Sequence, residues 1–411
     1  MSVAARCSQV CADAMSLAAH PVDTFRAASL LLRGCPQLAA WVAGWASREF
    51  TARVVTGHAL SAIPAGPLAP ITAGLAAQRA DAVLTSALTD TFGADYAAQV
   101  EHPVTLAARR PSVAGLWLAT THRRRYAAHT TNIAYGPNGR DHLLDIWRLP
   151  EQLTDRPAPV LLQVPGGAWA ISDKRGQAYP LMSRMVELGW ICVSINYSRS
   201  PRSAWPAHIV DVKRAIAWVR QNIAEYGGDP DFIAITGGSA GAHVGALAAL
   251  TANDPDLQPG FEYADTTVQA AVPYYGAYDL TNTEAMHQLM LPFLEQFVMR
   301  ARLADNRELY ESASPIFRAH RDAPPFFVLH GRDDAVIPSA QGQSFTAALR
   351  AAGASTVAHA ELPNAHHAFD MVATVRSQIV ADAVASFLGI TYARHMRAEA
   401  ISLDVCASPA G

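Results

Sequence analysis

Lysine is nearly absent. Lys174 and Lys213 are the only two in 411 residues, and the net charge is just −3. A chain with no basic surplus lacks the electrostatic footprint of a nucleic-acid binder, so no nucleic-acid partner is expected. Cysteine is scarce as well. Cys7, Cys11, Cys35, Cys192 and Cys406 are odd in number and scattered. That argues against a disulfide framework and requires no oxidising compartment. Cys7 and Cys11 sit one helical turn apart, but no second pair or histidine cluster completes a metal site, and none is expected. A clean membrane span is missing too. The longest charge-free stretch, between Arg53 and Arg79, is long enough, but Pro64, Pro67 and Pro70 break it. Asp13, His20 and Asp23 interrupt any signal-peptide core. The expected location is the cytoplasm or the periphery of the cell envelope.

Apolar material is plentiful: half the residues are hydrophobic and 16% are charged. That suits a large globular core. Up to about residue 115 the pattern is helical, and residues 1–115 read as an N-terminal helical extension. Leu38, Trp41, Val42 and Trp45 share one helix face. Core packing is the simpler reading for the two tryptophans, and peripheral membrane contact is the alternative. Leu84, Leu88 and Phe92 make a second stripe, closed by Gly93 as a C-cap. Arg123, Arg124 and Arg125 mark a solvated boundary.

From about residue 130 the texture changes. "HLLDIWRL", "APVLLQVP", "WICVSINY", "FIAITGG", "AAVPYY" and "PFFVLHG" read as strands, several of them continuous apolar runs. "LMSRMVELG", "HIVDVKRAIAWVRQNIAEYG", "SAGAHVGALAAL" and "GQSFTAALRAAG" read as helices between them. This alternation predicts an α/β domain with a mostly parallel sheet over residues 116–392, followed by a tail over 393–411. Residues 281–312 carry apolar spacing at Met286, Leu289, Met290, Phe293, Phe297 and Met299. They read either as a cap insertion lining an acyl pocket or as plain helical packing on the core.

Between the strand "FIAITGG" and the helix after it lies Gly237-Gly238-Ser239-Ala240-Gly241, a G-x-S-x-G pattern. A serine on a sharp strand-to-helix turn is the geometry of a nucleophile elbow. Gly237 and Gly241 let the chain fold back, and the Ala240 N–H points toward any anion formed at the serine. A serine needs a base, and the base needs an orienting carboxylate. Both stand downstream: Asp333 or Asp334 in "HGRDDAVIP", and His366 or His367 in "NAHHAF". Gly166 and Gly167 in "QVPGGAW" follow an apolar strand and offer backbone donors for an oxyanion.

Over residues 130–390 the chain resembles the α/β-hydrolase superfamily. Within it, the chain is most similar to the hormone-sensitive-lipase-like carboxylesterases and lipases of mycobacterial type that carry a long N-terminal extension. The resemblance rests on "PGGAW", "NYSRSP" with "WPAHIVD", "YGGDPDFIAITGGSAG", "HGRDDAVIP" and "HHAF". It implies Ser239 as nucleophile. The family's H-G-x-x-D pattern, placed on His330, implies Asp334 as the acid. The small residue and phenylalanine after the base imply His367. It implies an oxyanion hole of Gly166, Gly167, Ala168 and Ala240, with Asp211 structural. Here Pro165 stands where the family has a histidine. The expected activity is hydrolysis of short- to medium-chain esters of small molecules or lipids through an acyl-enzyme, with no metal or organic cofactor. Activity is expected to fall as the pH turns acidic, because the base works in its neutral form. The alternatives are an amidase, formamidase or transacylase on the same scaffold, or a non-catalytic binding module.

Overall fold

The computed structural model of the chain describes residues 69–99, 125–127, 130–149, 156–281, 290–371 and 374–407. Cys7, Cys11, Cys35, Leu38, Trp41, Val42, Trp45, Arg123, Arg124, Met286 and Leu289 lie outside the described residues, as do Pro64 and Pro67.

Among the described residues, eight strands form one sheet in the order β1-β2-β4-β3-β5-β6-β7-β8. The strands are β1 (Ile133–Ala134), β2 (Leu143–Trp147), β3 (Ala158–Val164), β4 (Ile191–Ile195), β5 (Gly228–Gly238), β6 (Ala270–Tyr274), β7 (Phe326–Gly331) and β8 (Val357–Leu362). β1 and β2 are antiparallel to their neighbours, and the pairs from β4 to β8 are parallel. The six main strands fall where the sequence predicts them. The order reverses around β3, so the loops leaving the carboxyl ends of β3 and β5 diverge over a crevice, the usual place for a ligand in such sheets.

Alternation along each strand feeds two cores. Val160, Leu162, Val193, Ile195, Ile233 and Ile235 face α3 (Ala207–Asn222), α4 (Ala240–Leu250) and α5 (Ala340–Ala351). Leu161, Cys192, Ala234, Val272, Phe327 and Leu329 face α1 (Ala69–Phe92), α2 (Tyr179–Glu187) and α6 (Val375–Ala407). Burial on both faces explains why these strands read as unbroken apolar runs. α1 buries Leu84, Leu88 and Phe92, the predicted stripe, and packs against α6 and β8. Gly93 ends it at φ +97°, donating its N–H to Thr89 O at 2.8 Å. α6 continues without a break across residue 392 to Ala407.

No described helix is long and apolar enough to cross a membrane. Around residue 295 the packing departs from the sequence pattern. Of the predicted stripe Met299 is deeply buried, but a π-helical turn over Leu294–Val298 leaves Met290, Phe293 and Phe297 half-buried and buries Leu294 and Val298 instead.

Candidate active site

Four loops leave the carboxyl ends of β3, β5, β7 and β8 and meet above the sheet. Ser239 stands at the β5–α4 junction with φ +56° and ψ −121°, a conformation that L-residues rarely adopt. The residues two before and two after it must be glycine. A Cβ on Gly237 would lie 2.6 Å from Val164 O and 2.7 Å from Gly241 C, and one on Gly241 would collide with Val164 O itself. The elbow therefore presses against the end of β3, which brings the loop after β3 beside the serine. Ser239 is held from below by its own N–H, donated to Tyr274 O at 2.9 Å.

A chain of hydrogen bonds runs from this serine. Ser239 Oγ donates to His367 Nε2 at 2.9 Å, and His367 Nδ1 donates to Asp334 Oδ2 at 2.6 Å. The carboxylate partner fixes this tautomer. Asp334 Oδ1 accepts the backbone N–H groups of Val336 and Ile337 at 2.8 and 2.9 Å. Burial alone would raise the Asp334 pKa. The proximity of His367 and hydrogen bonds from His330 and His367 outweigh it and hold the carboxyl well below its usual range. Of the two aspartates and two histidines that the residues alone leave open, Asp334 and His367 are in the chain of bonds, and Asp333 and His366 are not. The loops after β7 and β8 are zipped together: Arg332 N–H donates to Leu362 O and Asp333 N–H to Ala365 O, each at 2.9 Å.

The loop after β3 supplies the backbone donors. Gly167, Ala168 and Trp169 all have positive φ, at 122°, 50° and 57°. Among the described residues, no group accepts from the N–H of Gly167, Ala168 or Ala240. Gly166 differs from expectation. Its N–H already donates to Gln177 Oε1 at 2.8 Å, and Gln177 Nε2 returns a bond to Gly166 O at 3.1 Å. Its role is close approach, because a Cβ there would strike Gly238 O. Pro165, which lacks a side-chain donor, is held through its carbonyl by Tyr197 Oη at 3.0 Å.

The comparisons with known proteins point to esterases. The family model described as BD-FAE matches residues 144–349. Esterase LipQ of Mycobacterium tuberculosis is 63% identical across the whole of this chain and 99% of its own length. The chain belongs to the hormone-sensitive-lipase-like carboxylesterases of the α/β-hydrolase fold. Esterase LipC of the same organism is 45% identical over 68% of each chain. A solved carbohydrate esterase from gut microbiota superposes with a TM-score of 0.54 at 25% identity, over 65% of this chain and 98% of its own. The chain is accordingly an enzyme, a carboxylic ester hydrolase.

Several supporting residues of this esterase escape the sequence reading. His330 Nε2 donates to Ile337 O at 2.8 Å and lies 3.5 Å from Asp334 Oδ2, bracing the acid loop. Tyr275, at φ +41°, packs its ring on His367 with centroids 4.7 Å apart, and its hydroxyl donates to Asp370. Gln177 and Tyr197 hold the loop after β3 directly, and His243 holds it through the Trp169 indole. His330, Trp169 and Tyr197 lie within the stretches that carry the resemblance, and His243 is visible as a histidine at the fourth position of an otherwise apolar helix, but nothing in the sequence marks Gln177 or Tyr275. Asp211 is structural, as the resemblance implies. It accepts from Ser198 N–H and pairs with His142 Nε2, both at 2.8 Å.

Proposed function

We propose that this esterase hydrolyses short- to medium-chain carboxylic esters in two steps, with Ser239, His367 and Asp334 as its triad. His367 Nε2 takes the Ser239 proton as Oγ attacks the ester carbonyl. The tetrahedral oxyanion accepts from the N–H groups of Gly167, Ala168 and Ala240. His367 returns the proton to the departing alcohol, leaving an acyl group on Ser239. Water, deprotonated by His367, then releases the acid and restores the serine. Asp334 keeps the imidazole in the tautomer that leaves Nε2 free to accept.

The observation that carries this reading is the unbroken run from Asp334 to Ser239, at 2.6 and 2.9 Å, ending on a serine in a strained elbow. An apolar acyl group is favoured by two side chains on the flanking loops. Ile171, next to the oxyanion loop, and Met371, four residues past His367, are two of the six large hydrophobics exposed among the described residues.

The test is turnover of p-nitrophenyl esters of graded chain length by the native protein and Ser239→Ala. Activity lost in the variant, with a maximum at short or medium chains, is the expected result. Turnover by Ser239→Ala would remove the nucleophile, and activity confined to amides would replace ester hydrolysis with the amidase alternative.

A further inference from the structure

Ala168 and Trp169 are consecutive and both left-handed, at φ +50° and +57°, yet neither is glycine. Such backbone persists only where its surroundings hold it. At Trp169 the hold is visible. The indole Nε1–H donates to His243 Nδ1 at 3.1 Å, and the Trp169 carbonyl accepts Ser200 N–H at 2.8 Å. Trp169 and His243 are each 1% exposed, so neither group has water to turn to if the bond breaks. On its far side the His243 ring donates from Nε2 to Ala313 O at 2.7 Å. An indole nitrogen only donates and a carbonyl only accepts, so these two partners select one neutral tautomer.

The placement of His243 gives the bond its consequence. It lies four residues after Ser239, one turn into α4, the helix whose first N–H belongs to Ala240. The loop bearing the Gly167 and Ala168 N–H groups is thereby fastened, side chain to side chain, to the helix bearing the third donor. Gln177 and Tyr197 anchor the start of that loop. Trp169 anchors its end.

We propose that Trp169 and His243 are a positioning pair that fixes the spacing between the two halves of the oxyanion site, the support that Pro165 cannot give. The inference rests on the triad and donors assigned under "Proposed function". Neither residue touches substrate; both act through the backbone. A ground-state ester draws little on the three donors, whereas the tetrahedral anion depends on all of them. Loss of the pair therefore falls on kcat more than on KM.

The test uses the full chain as native protein, Trp169→Phe, His243→Leu, His243→Asn, the double variant W169F/H243L and Ser239→Ala. Two quantities are measured: kcat and KM on p-nitrophenyl butyrate, and affinity for a trifluoromethyl ketone, whose serine adduct carries an oxyanion. Trp169→Phe and His243→Leu are expected to lower kcat on the order of a hundredfold, the scale of one misplaced oxyanion donor. KM should stay within about threefold, and ketone affinity should fall in step with kcat/KM. His243→Asn, which offers an acceptor near the Nδ1 position, should recover most of the loss. W169F/H243L should be no worse than the poorer single variant, as two ends of one bond predict.

The idea is overturned if Trp169→Phe keeps native kcat and ketone affinity, or if only KM changes. Trp169→Phe and His243→Asn preserve most of the packing, so the test survives a His243→Leu that fails to fold. Ser239→Ala separates the two readings. An active Ser239→Ala sinks the triad, and an inactive one beside an unimpaired Trp169→Phe sinks the positioning pair alone.

Discussion

In the proposed mechanism the base side and the oxyanion side of the site are built by different means. On the base side, a short run of polar side chains does the positioning, and the reacting residues hold one another: Asp334 holds His367, and His367 meets Ser239. On the oxyanion side the reacting groups are backbone N–H groups, which cannot hold themselves. Gln177, Tyr197, Ser200 and His243 hold them from outside. The base side should therefore be breakable at one residue, while the oxyanion side should degrade in steps.

The largest expected effect tests the first half of that statement. Asp334→Asn would place an N–H donor against His367 Nδ1 and drive the ring proton to Nε2, where it blocks acceptance from Ser239. A loss on the order of ten-thousandfold in kcat follows from the wrong tautomer. Combining it with Ser239→Ala should cost nothing beyond the serine change, because the residues act as a unit. A loss below about tenfold in kcat for Asp334→Asn would assign the acid role elsewhere.

Acid should separate the two sides by stability. Burial, with repulsion from His243, lowers His208 from 6.5 to about 4, against a smaller opposing pull from Asp211. Burial lowers His243 from 6.5 to about 4, partly offset by its bond to Ala313. Both rings are neutral at pH 7 in folded and unfolded chains alike. As the pH falls below 6.5 the unfolded chain takes up protons that the folded one refuses, so stability is lost down to about pH 4. The loss approaches roughly 3 kcal/mol per ring. Asp334 behaves differently. Its folded pKa is depressed, so its contribution is complete above the unfolded value of 3.8 and fades only below it. These two rings thus weaken the fold in a pH range where Asp334 costs nothing, and His359 on β8, lowered from 6.5 to about 4 chiefly by burial, adds to the same slope. Denaturant unfolding from pH 7 to pH 4 checks this, and His243→Asn should flatten the slope. A stability unchanged over that range would show that the two rings charge freely in the fold.

The same contrast explains what could be read from the sequence. The elbow and its partners were legible because each requirement falls on a residue type: glycine beside Ser239, a carboxylate and an imidazole at strand ends. The six main strands were legible because both faces are covered. β8 does not read as a strand in the sequence, since His359 and Glu361 interrupt its apolar residues at an edge with one half-open face. The bracing of the oxyanion loop was illegible for another reason. Gln177 meets Gly166 across a loop, and His243 meets Trp169 across 74 positions. No local spacing encodes such pairs. The π-turn at Leu294–Val298 likewise carries no sequence signature; it leaves Phe293 and Phe297 of the expected stripe half-buried, while Met299 of the same stripe is buried.

A smaller effect tests the stepwise half of the comparison. Gln177→Ala removes both bonds to Gly166 while Tyr197 and Trp169 still hold the loop on either side. A loss of about tenfold in kcat with little change in KM is expected, short of the full cost of one oxyanion donor. Steady-state kinetics decide it. A loss as deep as that of Asp334→Asn would mean the loop, too, depends on a single anchor.

The smallest effect belongs to Tyr275→Phe. Burial and the charge of Asp370 hold the Tyr275 proton on its oxygen, so the hydroxyl serves as a donor and takes no part as a base. The substitution keeps the ring against His367 and removes only the bond to Asp370. The left-handed backbone at position 275 is untouched, since phenylalanine meets the same constraint as tyrosine. One hydrogen bond to a carboxylate gives about 2 kcal/mol of stability, readable as a lower Tm. Turnover should fall by no more than about threefold, because Asp334 alone suffices to orient the imidazole. A Tyr275→Phe loss equal to that of Gln177→Ala would show that the base side also leans on outside support, and the division between the two sides would disappear.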